Sequence, residues 1–193
     1  MANAAKAGGP QGPAAKPITY ADMQAAAHAK AKILARAFED AGNKAPSPAQ
    51  ISEVNKAMER IGRIEEWING HALNFALIPK TKEEISSEKK RLCVALYVLQ
   101  TIKQVHDAAV QKGDSASHSL FLTAAKSAED ALSFDLFLSN ADWELVQRFV
   151  KLQPALEACS ITFGTPSLEI QEVQDKFSFP LARLSEEMTK KGI

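Results

Sequence analysis

Apolar residues recur at intervals of three and four along most of the chain, the spacing that gathers side chains on one face of an α-helix. The stripe is clearest at Ile51, Val54, Met58, Ile61, Ile64 and Ile68. Ser47, Pro48 and Gln50 precede it: a capping hydroxyl, a proline at the first helical position where its missing N–H is not needed, and a glutamine placed to complete a capping box. The pattern predicts a helix from there to Asn69 and Gly70. An earlier helix opens at Thr19 and Asp22, carries Met23, Ala27, Leu34 and Phe38 on one face, and stops at Gly42.

Residues 71–78 are apolar, few, and followed by Pro79, so a helical turn and an extended segment fit them equally. Thr81 and Glu84 form the next capping box, and Leu92, Leu96, Leu99, Ile102 and Val105 continue a helical stripe to Gly113. The polar stretch 86–91 is either an exposed first turn or a break. After Gly113, Asp114 and Ser115, helical spacing resumes at Leu120, Ala124, Ala128 and Ala131, leading into a dense apolar knot over 134–138. Ser139 or Asn140 caps a further helix with Trp143, Val146, Phe149 and Val150, which Pro154 ends or kinks. Beyond Gly164 the spacing continues through Ile170, Val173 and Phe177, and Pro180 opens a last short helix with Leu181, Leu184 and Met188.

Strand signals are nearly absent: the one Asn-Gly pair follows a helix instead of joining two alternating runs. Residues 1–17 consist of Ala, Gly, Pro and Lys with little else, have nothing to bury, and read as a disordered tail. The expected architecture is all-α: one bundle of about six or seven helices over 18–193 behind that tail.

Composition fits this reading. With 46% apolar and 24% charged residues, the 193-residue chain lies far from wholesale disorder and can bury a core. Its longest apolar run, around 92–99, is well short of the ~20 residues that span a bilayer. No membrane association is expected, and the cytoplasm, of its own cell or of a host, is the default compartment. Cys93 and Cys159 sit apart among apolar neighbours and read as buried thiols in a reducing environment.

Catalytic chemistry leaves no pattern. There is no phosphate-binding glycine loop, no HExxH and no GxSxG, and no Glu is followed three residues later by His. His28, His71, His106 and His118 are scattered; His106 and Asp107 are adjacent and so diverge around a helix. The paired acids Glu65-Glu66, Glu83-Glu84 and Glu186-Glu187 read as solvated faces. No catalytic residue, metal ligand or cofactor is assigned.

Charge is the informative feature. Net charge is zero, yet residues 1–112 hold 16 basic against 11 acidic residues, a net of +5, and residues 113–193 hold 7 against 12, a net of −5. Opposite patches on identical molecules favour head-to-tail association; the plainer alternative is that the halves neutralise one another within one fold. Basic residues cluster as Lys30, Lys32 and Arg36, as Lys56, Arg60 and Arg63, and as Lys89, Lys90 and Arg91, candidates for phosphate contacts unless Glu59, Asp40 and Glu88 pair with them. Aromatics avoid these clusters and concentrate in the acidic half, where Phe134, Phe137, Leu138, Phe177 and Phe179 would form a partner-binding patch if exposed.

The expectation is therefore a non-enzymatic structural protein that self-associates and coats RNA or DNA, a layout shared with viral coat and nucleocapsid proteins and compatible with a place in a virion. The alternative is a helical adaptor, effector or chaperone that binds a host protein through an apolar groove.

Overall fold

In a computed structural model, residues 20–79, 81–133 and 142–164 are described, some of them by their backbone alone. They form five α-helices: α1 (Tyr20–Glu39), α2 (Pro48–Ala76), α3 (Lys82–Lys112), α4 (Ser115–Ala131) and α5 (Asp142–Phe163). No strand occurs among the described residues, and the fold is an all-α bundle. The N-terminal tail, the knot with Phe134, Phe137 and Leu138, the caps at Ser139 or Asn140, and the helices expected after Gly164, with Phe177 and Phe179, lie outside the described residues.

Local chemistry sets the helix ends. Ser47 Oγ accepts the Gln50 backbone N–H at 3.1 Å, with Pro48 at the first helical position. Thr81 and Glu84 make the reciprocal capping box, at 3.2 Å and 2.8 Å. Gly113 ends α3 at φ +69°, a left-handed conformation that suits glycine, and its N–H closes on the Ala109 carbonyl at 2.9 Å. Asp114 then caps α4 by accepting the Ser117 N–H at 2.7 Å.

Contacts between helices fix the topology. The end of α1, the starts of α2 and α4, and the ends of α3 and α5 meet at one end of the bundle. There Ser115 N–H donates to the Lys44 carbonyl at 2.7 Å, Gln50 reaches Ser115 and Ser119, and the Lys112 ammonium lies 5.8 Å from the Phe163 ring centroid. Successive helices therefore alternate in direction, and α4 touches all four others. It is the shortest described helix and the most deeply buried: Leu120, Phe121, Ala124, Ala125 and Ala128 are wholly inaccessible. The alanines allow neighbouring backbones to approach closely, while Phe121 and Leu120 each supply about 1.5–3 kcal/mol of apolar burial.

Three expectations need correction. α2 does not stop at Gly70 but runs to Ala76, so 71–76 is helical. A mid-helix glycine costs only about 1 kcal/mol, and here Trp67 stacks on His71 at 5.3 Å, His71 approaches Phe75, and His71 bonds Glu88 on α3 at 2.6 Å. Helix α5 does not end at Pro154 but runs to Phe163, and its second half buries Ala155, Leu156, Ala158 and Cys159 in the common core. The polar stretch 86–91 is continuous helix, and the buried face of α3 keeps Leu99, Ile102 and Val105 of the expected stripe, with Leu92 packed against the core. Arg91, Ala95, Val98, Ile102, Val105 and Ala109 form its centre, whereas Leu96 is exposed.

Candidate functional site

Those of the nine basic residues singled out from the sequence whose side chains are described do not converge. On α1, Lys30, Lys32 and Arg36 are all exposed. At 3.6 residues per turn, however, Lys30 lies about 160° from Lys32, and only Lys32 and Arg36 share a face. On α2, Lys56, Arg60 and Arg63 do form one stripe, but Lys56 bonds Glu53 at 3.1 Å and Arg60 bonds Glu129 of α4 at 3.0 Å. Lys89 and Lys90 are on α3, with side chains outside the described set.

Arg91 is a correction: at 3% exposure it sits on the core-facing stripe of α3 and cannot line an open groove. Its Nη1 bonds Ser87 while Nη2 has no partner. Lys30, Lys32, Arg36 and Arg63 remain exposed with no carboxylate within 4.0 Å among the described residues. The anticipated partners Asp40 and Glu59 do not engage them, and Glu88 instead bonds His71.

The charge halves meet inside one bundle. Arg60–Glu129 and His28–Glu157, the latter at 3.2 Å, each join a basic-half helix to an acidic-half helix. Arg60 and Glu129 set opposite charges from the two halves against each other within one molecule. The histidines remain apart, each with its own partner: Glu157 for His28, Glu88 for His71, Asp107 for His106 and the Asp114 carbonyl for His118. The His106–Asp107 bond, at 3.0 Å, forms although the residues are adjacent. Among the described residues, no three His, Cys, Asp or Glu side chains gather as a metal site. Cys159 is a free buried thiol, and burial pushes its pKa up to about 12, so its nucleophilic form is suppressed at neutral pH.

Two surface features were not anticipated. The first is the arch formed by the end of α2 and the start of α3. Arg60 contacts Glu129 near the end of α4, yet α2 continues for roughly 24 Å beyond Arg60. Its final turns carry Trp67, Ile68, Ala72, Leu73 and Phe75, with Leu77 directly after them, an apolar set spread over more of the helix than one buried face can cover. Ile68 is buried, whereas Leu73, Leu77 and Ile78 are 70%, 81% and 57% exposed. The sequence signal was present: once 71–76 is helical, these side chains cannot all face inward.

The second is a cavity of about 540 Å³ between the end of α4 and the first half of α5, lined by Ser127, Asp130, Ala131, Ser133, Gln147, Arg148 and Lys151. Arg148 and Lys151, three residues apart, share a face of α5. Arg148 Nη1 donates to Ser133 Oγ and more weakly to the Asp130 carbonyl at 3.5 Å, which fixes the guanidinium at the cavity wall. Asp130 pairs with Lys126 at 2.7 Å. These cations belong to the acidic half, where a charge count over the whole half conceals them.

No helix among the described residues is long and apolar enough to cross a membrane. Compared with family models, with curated proteins and with solved structures, the chain matches none.

Proposed function

We propose that this chain is a non-enzymatic helical structural protein that self-associates, with the α2–α3 arch as its contact surface and a second copy of the chain as the occupant. The observation that carries this reading is the exposure of Leu73, Leu77 and Ile78 together at the end of α2. Residues 69–79 contain no Asp, Glu, Lys or Arg, so this α2 segment of two copies meets without like-charge repulsion. A contact made by the same patch on both partners closes as a two-fold dimer, and any further patch extends it.

Light scattering on a sizing column tests it. The wild type is expected to run as an oligomer that dissociates on dilution, and Leu73→Asp with Leu77→Asp to run as a folded monomer. A wild type that stays monomeric at every concentration sinks the reading and favours an adaptor that binds a different protein.

A second reading, coating of RNA or DNA, is favoured by Lys32, Arg36 and Arg63, exposed and without a carboxylate partner among the described residues. Cations without carboxylate partners are the ones available for phosphate contacts and counterion release. Replacing Lys32 and Arg36 with Glu is expected to lower retention on RNA and flatten its salt dependence; unchanged retention rejects it.

A further inference from the structure

We infer that two copies of the chain pair through antiparallel α2 helices about a two-fold axis, oriented by Lys56, Glu59, Arg63 and Glu66. This rests on the self-association proposed above, and it names the surface of the second copy that meets the arch.

The outward face of α2 is a continuous stripe. Ile61 is wholly buried, and Glu59 and Arg63, two residues to either side of it, point roughly 160° away around the helix. Ser52, Lys56, Glu59, Arg63, Glu66, Gly70 and Leu73 follow one another at alternating spacings of four and three, the spacing of a seam between paired helices. Gly70 is partly exposed and the others are fully so. The stripe therefore runs from the start of α2 into the arch.

Charge alternates along it: Lys56 is positive, Glu59 negative, Arg63 positive and Glu66 negative. Glu59, Arg63 and Glu66 are without an opposite charge within 4.0 Å among the described residues. Lys56 bonds Glu53 at 3.1 Å, an exposed pair that costs little to exchange.

Symmetry then decides the direction. In a parallel, in-register pairing each residue faces its own counterpart, and like charges meet at every charged position of the stripe. An antiparallel pairing about an axis opposite Ile61 instead sets Glu59 against Arg63 of the second copy and Lys56 against Glu66 of the second copy, each pair occurring twice. The same axis brings Gly70 over Ser52 and Leu73 over Ala49 of the second copy, an exposed residue whose single methyl leaves room for the leucine. Exposed ion pairs add little affinity, so the apolar residues of the arch supply the attraction and the charges select the orientation.

Sedimentation equilibrium on the full chain tests it, with Glu59→Arg, Arg63→Glu and their equimolar mixture beside the wild type. Alone, each variant sets like charges against one another twice across the axis; mixed, the two variants restore opposite charges at both places. Each variant alone is expected to dissociate at least about ten-fold more readily than the wild type, and the mixture to return to within about three-fold of it. Circular dichroism should show wild-type helix content in both, since both positions are exposed. Lys56→Glu mixed with Glu66→Lys repeats the test at the outer pair and is expected to recover in the same way. A variant that associates as tightly as the wild type, or mixtures no tighter than their components, overturns the antiparallel assignment and leaves self-association standing. A wild type that is monomeric at every concentration overturns both.

Discussion

Arg60 on α2 places its Nε 3.0 Å from Oε1 of Glu129 on α4, so the cation at the centre of the expected basic stripe is committed to an acid from the other half of the chain. Because the arginine side chain remains 41% accessible, solvent screens the pair, and its coupling should be no more than about 0.5–1 kcal/mol. A double-mutant cycle with Arg60→Ala and Glu129→Ala, measured by urea denaturation at low and high salt, should return that coupling and show it shrinking with salt. A coupling of zero at low salt would remove this contact from the forces joining the two halves.

Asp114 should make folding sensitive to acid. Burial by itself raises its pKa, but the hydrogen bond from the Ser117 backbone N–H and the nearby charges of Lys112 and His118 outweigh it, leaving the carboxyl below its ordinary value of 3.8. A depressed folded pKa means stabilisation that is present above the unfolded value, near pH 4, and is lost as pH falls through the folded value. Asp114→Asn keeps a side-chain oxygen at the cap but cannot titrate, so its stability should change less than the wild type's across the acid range. Asp114→Ala should lose about 1–2 kcal/mol at neutral pH, as removal of a helix N-cap does. Parallel acid profiles for wild type and Asp114→Asn would reject the assignment.

The core of α4 should resist enlargement. Ala124 and Ala128 are fully buried where α4 meets its neighbours, and a larger side chain has to displace packed helices. Ala124→Leu is expected to destabilise by about 1–3 kcal/mol through overpacking. Lys126→Leu on the exposed face of the same helix should change the thermal midpoint far less. Equal effects at the two positions would contradict the central placement of α4.

How much of this was legible beforehand differs between elements. Ser47 with Pro48, Thr81 with Glu84, and Asp114 act within one turn, so the helix starts they set were readable from neighbouring residues. The buried face of α3 was legible only in part. Leu99, Ile102 and Val105 are buried as their spacing suggested, whereas Leu96 is exposed and Arg91 is buried instead, a choice that depends on the helices packed alongside. The continuation of α2 through Gly70 is likewise supported by Glu88, seventeen residues after its partner His71. For the same reason the cavity beside Lys151 was invisible: its walls come from two helices, and nothing local in either marks it.

Glycines in the long helices provide the most direct test of α2 as one continuous element. Gly62 and Gly70 lie inside it, and a Cβ added at either would meet nothing within 4 Å. Neither glycine is needed for packing, and neither has a positive φ. Alanine there restricts the unfolded chain and favours helix, so Gly62→Ala and Gly70→Ala should each stabilise by about 0.5–1 kcal/mol. Gly113 differs, since its φ of +69° ends α3 in a conformation where a Cβ is strained. Gly113→Ala should therefore destabilise by about 1 kcal/mol, although it too has no close contact. Chemical denaturation of the three variants separates the alternatives: an end to α2 at Asn69 would make Gly70→Ala neutral or destabilising, whereas one helix to Ala76 makes Gly62→Ala and Gly70→Ala behave alike and opposite to Gly113→Ala.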